Sequence, residues 1–413
     1  MTTLGTLGDV SPYVAIGRGL AERGHAPVIA TSAFHREWIE DQGIAFRPVR
    51  PDIDPEEHRE LIVRAMDPGR GPEVVIREFV LPSVRDSRED LQAAARDADL
   101  LITHPITFAG PIVAEESGVP WISSVLAPIS FFSRHDPPVV PPLRWAKRLE
   151  RIPGVPFLLI GLFRWMTRSW SEPVRALREE RGLPPGGDPI YEGQHSPRGV
   201  LALFSRVLAE PRPDWPSNVA LTGFPFHSPP LEDEAEADRL NAFLDTGPDP
   251  VVFTLGSSAV AAAGSFYEES LAAARRLGVR AVLLLGAPEN RPDGPLGDDA
   301  IAVEYAPHDT LFPRATAVVH QGGIGTLGQA LRAGRPMLVV PHSHDQPDNA
   351  HRAERLGVAR TIRPGAYRAD RVVAELRRLL EDPVYRRRAG EVGRAVRAED
   401  GVANACDAIE AAV

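Results

Sequence analysis

The stretch from Val303 to Ala359 constrains the chain more than any other. It opens as VEYAPHDTLFP and, after Arg314, continues as ATAVVHQGGIGTLGQALRAGRPMLVVPHSHDQPDNAHRAERLGVA. A buried strand ends in the polar turn His320-Gln321-Gly322-Gly323-Ile324-Gly325-Thr326, and this turn opens a helix. A second strand, Pro336–Pro341, ends in another polar turn at Asp345-Gln346. Two strand ends therefore face one crevice, which in an open parallel sheet is where ligands sit. Glycines at a helix start let backbone N–H groups approach an anion, so the expected ligand carries phosphate.

The rest of the chain repeats this alternation. A glycine-rich turn precedes a helix from about Ser11 to Arg23, then Gly24 as its cap and the strand Ala26–Ala30, which together open a doubly wound unit. Its first strand is nearly missing: only Met1 to Leu4 precede the turn, where about five or six residues are usual. Further strands are expected at Ile44–Pro48, Leu100–Thr103, Trp121–Val125, Leu201–Phe204 and Ala220–Thr222. PFHSPPLEDEAEADR lacks apolar periodicity and reads as a linker, with a boundary near residue 228. Strands at Val251–Leu255, Val279–Leu285 and Ile301–Glu304 then lead into the opening stretch. The fold expected is α/β, with two doubly wound, Rossmann-like domains facing a central cleft. They span residues 1–228 and 229–395, and a C-terminal helix at 396–413 packs back toward the first.

Composition removes several function classes. A net charge of -10 argues against nucleic acid as the main partner, because phosphate backbones need a basic face. The single cysteine, Cys406, forms no intramolecular disulfide and suits a reducing cytoplasm. Lys147, the only lysine, follows no glycine-rich turn, which excludes a phosphate-loop NTPase. The longest apolar run, Val155–Phe163, is far short of the roughly 20 residues that span a bilayer. From Pro128 to Trp170, aromatic and aliphatic residues interleave with arginines. That segment reads either as a helical hairpin packed on its domain or as the lining of an apolar pocket that also touches a membrane surface, such as the inner membrane face.

Several residues are candidates for chemistry. Ser257 and Ser258 follow a strand and a glycine, so they either hold phosphate or cap a helix. His320 offers a cationic or donor side chain beside Gly322, Gly323, Gly325 and Thr326, which suits a pyrophosphate. Asp345 and Gln346 join a carboxylate to an amide, a pairing that suits sugar hydroxyls or caps the helix near Pro347. His342, His344 and Asp345 lie too close in sequence to face one point, so no metal is expected. In the first half, Asp9 sits in the turn Gly5-Thr6-Leu7-Gly8-Asp9-Val10, as a helix cap or as a base toward an attacking hydroxyl. His104 and Glu115 are candidates for a supporting role.

The ordered set GTLGDVSP, TGFPF, FTLGSS, EYAPHDTLFP, HQGGIGT and DQPDNA spans nearly the whole chain and resembles the GT-B glycosyltransferases of family 1. Within that family HSPRGVLALFS, DWP and TGFPF are most similar to the catalytic B chain of bacterial rhamnosyltransferases. The resemblance implies that Tyr305 stacks on a nucleotide base and the backbone of Ala306 bonds its edge. It implies that His320, the glycine turn, Ser257 and Ser258 hold the diphosphate, that Asp345 and Gln346 bind the sugar, and that Asp9 is the base. Two residues depart from the family pattern: Gly328 stands where plant members bind ribose with a glutamate, and Gln321 where many bacterial members have a second histidine. The implied activity is metal-independent, inverting transfer from a UDP- or dTDP-linked sugar, a co-substrate and not a cofactor, to a hydrophobic small-molecule or lipid acceptor. A GT-B nucleotide-sugar epimerase and a non-catalytic nucleotide-sugar-binding subunit are the alternatives.

Overall fold

The computed structural model describes residues 1–54, 57–140, 152, 154–229, 231 and 233–413. The chain forms two compact units, of which the first comprises Met1–Ala65, Gly69–His227 and Glu399–Val413. Its strands are β1 (Val28–Thr31), β2 (Ala45–Pro48), β3 (Leu101–Thr103), β4 (Trp121–Val125), β5 (Val200–Ala202) and β6 (Val219–Leu221). All pair in parallel, as β1-β2 and as β3-β4-β5-β6. Thr2 joins these two groups, bridging Ala30 on one side and Thr103 on the other. Its N–H donates to the Ile102 carbonyl at 2.8 Å and its carbonyl accepts from His104 N–H at 3.1 Å, while Ala30 N–H donates to Met1 at 2.8 Å. The nearly missing first strand is therefore present in minimal form at the sheet centre.

The first helix, Leu7–Glu22, starts earlier than apolar spacing alone suggests. Thr6 caps it and Asp9 completes a capping box, which satisfies two otherwise orphaned N–H groups. Asp9 thus lies in the first helical turn and not ahead of it. The helix Gly401–Glu410 packs on this one at Gly19, where a side-chain Cβ would come within 2.6 Å of Val402 and 3.0 Å of Cys406. Arg23 also bonds Asp407 at 2.6 Å and Glu410 at 2.8 Å. Such surface pairs each contribute at most about 1 kcal/mol. Burying Ile409 of the same helix contributes about 1.5–3 kcal/mol, comparable to the two pairs together.

The second unit comprises Met66–Pro68 and Ser228–Ala398. Its strands are β7 (Val251–Thr254), β8 (Ala281–Leu284), β9 (Ala300–Val303), β10 (Ala317–His320), β11 (Met337–Val339) and β12 (Ala359–Thr361). They form one parallel sheet in the order β12-β11-β10-β7-β8-β9, the doubly wound order whose direction reverses between β7 and β10. Every residue of β7, β10 and β11 is buried, as expected of strands covered on both faces. The stretch expected to be a linker is partly helix: Glu234–Asp245 begins inside it, with Asp233 accepting from the Glu236 N–H. The buried face of that helix begins only at Leu240, so its polar first turns carry no apolar period.

In the first unit, the helix Val155–Thr167 covers part of the Pro128–Trp170 segment, of which residues 141–151 and 153 lie outside the described residues. No helix among the described residues is long and apolar enough to cross a membrane.

The close seams give a test of packing. A Cβ at Gly401 would overlap the Phe224 carbonyl, so Gly401→Ala should destabilise the protein by about 1–3 kcal/mol in denaturant unfolding. Gly161→Ala, at a helix position with open space around it, should cause no such loss.

Candidate functional site

Three loops leave the carboxyl edge of the second sheet around its switch point, after β7, β10 and β11. Gln346 and Asn349 tie them together. The Gln346 Oε1 accepts the N–H groups of His342 at 2.8 Å and Ser343 at 3.3 Å, and its Nε2 donates to Ser258 Oγ at 3.3 Å. Asn349 Nδ2 donates to the Gly322 carbonyl at 2.9 Å and to Asp345 Oδ2 at 2.6 Å. Ser258, the glycine turn and Asp345-Gln346 are thus brought together by direct bonds, with Ser257 exposed beside them. Both ends of the Gln346 amide are engaged within the protein. His344, just before Asp345, holds a φ of 55°, a conformation that a non-glycine residue adopts at an energetic cost.

Two glycines make this packing possible. Gly322 has a φ of 91°, and a Cβ there would lie 2.8 Å from Val339 Cγ1. Gly256 has a φ of 59°, and a Cβ there would overlap the Gln321 amide. The helix Ile324–Ala333 follows, with Gly323 at its N-cap and no side chain capping it. Its first N–H groups, those of Gly325 and Thr326 included, lack intrahelical acceptors and carry the positive end of the helix dipole.

His320 lies under this turn, fully buried. Burial lowers its pKa to about 3, with nearby His308 adding to the effect, so the ring is a neutral donor and not the cation that the sequence also allowed. Gly322 N–H donates to Nδ1 at 3.0 Å, which leaves the proton on Nε2. His320 Nε2, Gln321 Oε1 and Asn349 Oδ1 are buried without a partner among the described residues. Buried polar atoms are rarely left unmet, so these three in the loops of one crevice have hydrogen-bonding capacity to offer a ligand. Tyr305 and Ala306 follow β9, two strands from β7 and so about 10 Å along the same edge. The Tyr305 hydroxyl donates to the Pro229 carbonyl at 2.9 Å, and Ala306 is buried.

In the first unit, Asp9 Oδ2 accepts from Thr6 N–H at 2.8 Å and Thr6 Oγ1 at 3.3 Å. Burial raises its pKa to about 6 against the pull of these two bonds, while the Asp9 side chain as a whole is 35% exposed. His104 Nε2 stands 3.9 Å from Asp9 Oδ1, and burial lowers the His104 pKa to about 3, so this side chain faces Asp9 as a neutral ring. Glu115, the other supporting candidate, is engaged elsewhere: it receives both Arg178 terminal nitrogens, at 3.1 and 2.6 Å. His104 also lines a cavity of about 180 Å³ with Phe108, Trp121, Val174 and Gln194.

Two residues of these sites escaped the sequence reading. Asn349 stands one helical turn after Asp345 in the motif DQPDNA, and that spacing was a usable signal. His35, whose Nε2 lies 3.0 Å from the Gly5 carbonyl at the turn before Asp9, carried none.

Comparison with known proteins shows the family. The model for the glycosyltransferase family 28 N-terminal domain matches residues 1–129, and that for the erythromycin biosynthesis protein CIII-like C-terminal domain matches residues 268–409. The O-mycaminosyltylonolide 6-deoxyallosyltransferase of Streptomyces fradiae is 33% identical over 99% of this chain and 96% of its own. A sterol 3-beta-glucosyltransferase of Neosartorya fischeri is 29% identical over 98% of this chain but only 29% of its own length. Among solved structures, the kitacinnamycin glycotransferase has a TM-score of 0.71 at 21% identity, covering 100% of this chain and 98% of its own. The spinosyn rhamnosyltransferase SpnG has a TM-score of 0.68 at 18% identity, covering 99% of each chain. The fold is that of a GT-B glycosyltransferase, and the chain belongs to family 1 of these enzymes.

The Asp9 environment predicts a sign. Its pKa in the folded protein lies above the ordinary 3.8, so its contribution to stability is full below about pH 4 and is lost as pH rises through about 6. Asp9→Asn should flatten thermal stability across that window and raise the melting temperature at pH 7 to 8. A carboxylate serving only as a helix cap would give the opposite change.

Proposed function

We propose that this glycosyltransferase moves a hexosyl or deoxyhexosyl group from a thymidine or uridine diphosphate sugar to a hydroxyl of a hydrophobic acceptor, with inversion at the anomeric carbon. The observation that carries this reading is the switch-point crevice, where an uncapped helix start, a neutral imidazole with an unmet Nε2–H and a serine-bearing turn are tied together. The diphosphate is held by N–H groups of the turn Gly322-Gly323-Ile324-Gly325-Thr326, by His320 Nε2–H and by Ser257 and Ser258. Tyr305 stacks on the base, the Ala306 backbone meets its edge, and Asp345 with Gln346 marks the sugar end. Two solved relatives, VinC in complex with dTDP and SsfS6 complexed with thymidine diphosphate, support a thymidine nucleotide. The deoxyallosyltransferase and the sterol glucosyltransferase support a hydroxyl-bearing natural product or sterol as acceptor. At about 180 Å³ the cavity beside His104 is smaller than the roughly 300–1,000 Å³ of sites that enclose a drug-sized ligand, so it takes only part of such an acceptor. The buried, single Cys406 is in keeping with a cytoplasmic setting.

In the transfer, Asp9 takes the acceptor hydroxyl proton, the acceptor oxygen bonds to the anomeric carbon, and the bond to the β-phosphate oxygen breaks. The nucleoside diphosphate leaves with the electron pair. Charge grows on that leaving oxygen in the transition state, so the fixed donors of the glycine turn act more strongly there than on the bound donor sugar. These dipoles supply the stabilisation without a metal. A pKa near 6 suits a base at neutral pH, ionised yet still able to accept a proton.

Asp9→Asn should lower turnover by a factor on the order of 100 or more while leaving thymidine diphosphate affinity within about twofold. In the native enzyme kcat/KM should rise about tenfold per pH unit below about 6 and then level off. His320→Ala should weaken nucleoside diphosphate binding about 10- to 100-fold, the range for a hydrogen bond to a charged group. Unchanged binding in that variant, followed by melting temperature against thymidine and uridine diphosphates, would remove His320 from the site. Mass spectrometry of a donor with and without a sterol or macrolide acceptor separates the alternatives: an epimerase converts the sugar alone, and an accessory subunit converts nothing.

A further inference from the structure

The helix Val155–Thr167 is apolar nearly all the way round, and only half of it is covered. Ile160, Phe163 and Thr167 turn inward, where Phe163 packs with Val140 and Tyr191. On the opposite side Phe157, Leu158, Leu162, Trp165 and Met166 form one continuous strip, with Leu158 73% and Trp165 61% exposed. A helix hydrophobic on every side is normally buried, and a contiguous exposed apolar strip marks a docking face.

The charge around the strip identifies what it meets. Arg134 lies over the Phe157 ring at 4.9 Å from its centre, and Arg168 over Trp165 at 5.7 Å, so two guanidinium groups fringe the apolar face. Arg164 turns the other way, onto the Tyr191 ring and into an ion pair with Glu192 at 2.8 Å. Large apolar side chains at the centre and arginines at the rim are the pattern of a helix lying in the plane of a bilayer, its rings among the acyl chains and its cations at anionic headgroups.

We infer that the Val155–Thr167 face docks this enzyme on an anionic lipid bilayer. The inference uses none of the residues assigned to donor or base, so it stands apart from the proposed transfer. A second copy of the chain fits less well, since two such rims would bring like charges together.

The test is sedimentation of the full-length protein with vesicles of phosphatidylcholine plus phosphatidylglycerol, beside vesicles of phosphatidylcholine alone. Binding should favour the anionic vesicles about tenfold or more, should fall as salt is raised, and should shift Trp fluorescence to the blue. Leu158→Glu and Trp165→Ala should each lower the partition coefficient by a factor of about 10 or more. Their side chains lie outside the core, so their melting temperatures should stay unchanged, and nucleoside diphosphate binding should be retained. Equal sedimentation with and without anionic lipid would overturn the inference. So would self-association without lipid that Leu158→Glu abolishes, which would make the face a contact between copies.

Discussion

The hydrogen bond from the Gly322 N–H to His320 Nδ1 determines what the second unit's site can hold. Gly322 makes it with a φ of 91°, and it fixes the proton on the opposite ring nitrogen. Burial keeps that ring neutral across the physiological range. The crevice therefore presents oriented dipoles: an imidazole N–H and the first N–H groups of a helix whose end carries roughly half a positive charge. Fixed dipoles need no reorganisation when charge moves onto a leaving group, whereas a mobile ammonium would have to be ordered. A chain with a single lysine has this solution available without a cationic side chain in the turn.

Dipoles work only if they are held, and the loops hold one another. Gln346 fastens the β11 loop to itself and to Ser258, while Asn349 fastens it to the glycine turn. The left-handed His344 lies within this fastened loop, so the surrounding bonds can maintain a conformation that an isolated loop would relax. A side chain expected to bind sugar thus also builds the site, and Asn349, not singled out in the sequence, does as much to position Asp345.

Local pattern carried the order of elements well: glycine turns, polar strand ends and buried runs fall where the second sheet places its switch point. What local pattern cannot carry is burial and long-range pairing. His320 reads as a possible cation until the structure surrounds it, and Glu115 reads as a helper of Asp9 until Arg178, far along the chain, takes both of its oxygens. The helix Glu234–Asp245 was obscured because its capping turn is acidic and its apolar residues come late. Thr2 shows the converse: a strand too short to be recognised by length is secured by neighbours on both sides.

That short strand bears directly on Asp9. Thr3 Oγ1 donates to the Asp9 carbonyl at 3.1 Å, and the Thr6 capping box fixes the side chain at the start of its helix. The far end of the same helix is fixed by Arg23 and by the seam between Gly19 and the Val402–Cys406 turn. Asp9 is therefore positioned at one end by the sheet and at the other by residues nearly four hundred positions later, leaving little freedom for the helix to slide. Its pKa follows from this rigidity. The helix start and the Thr6 bonds favour the anion, burial opposes it more strongly, and the balance near 6 persists because the carboxyl cannot turn out fully into water.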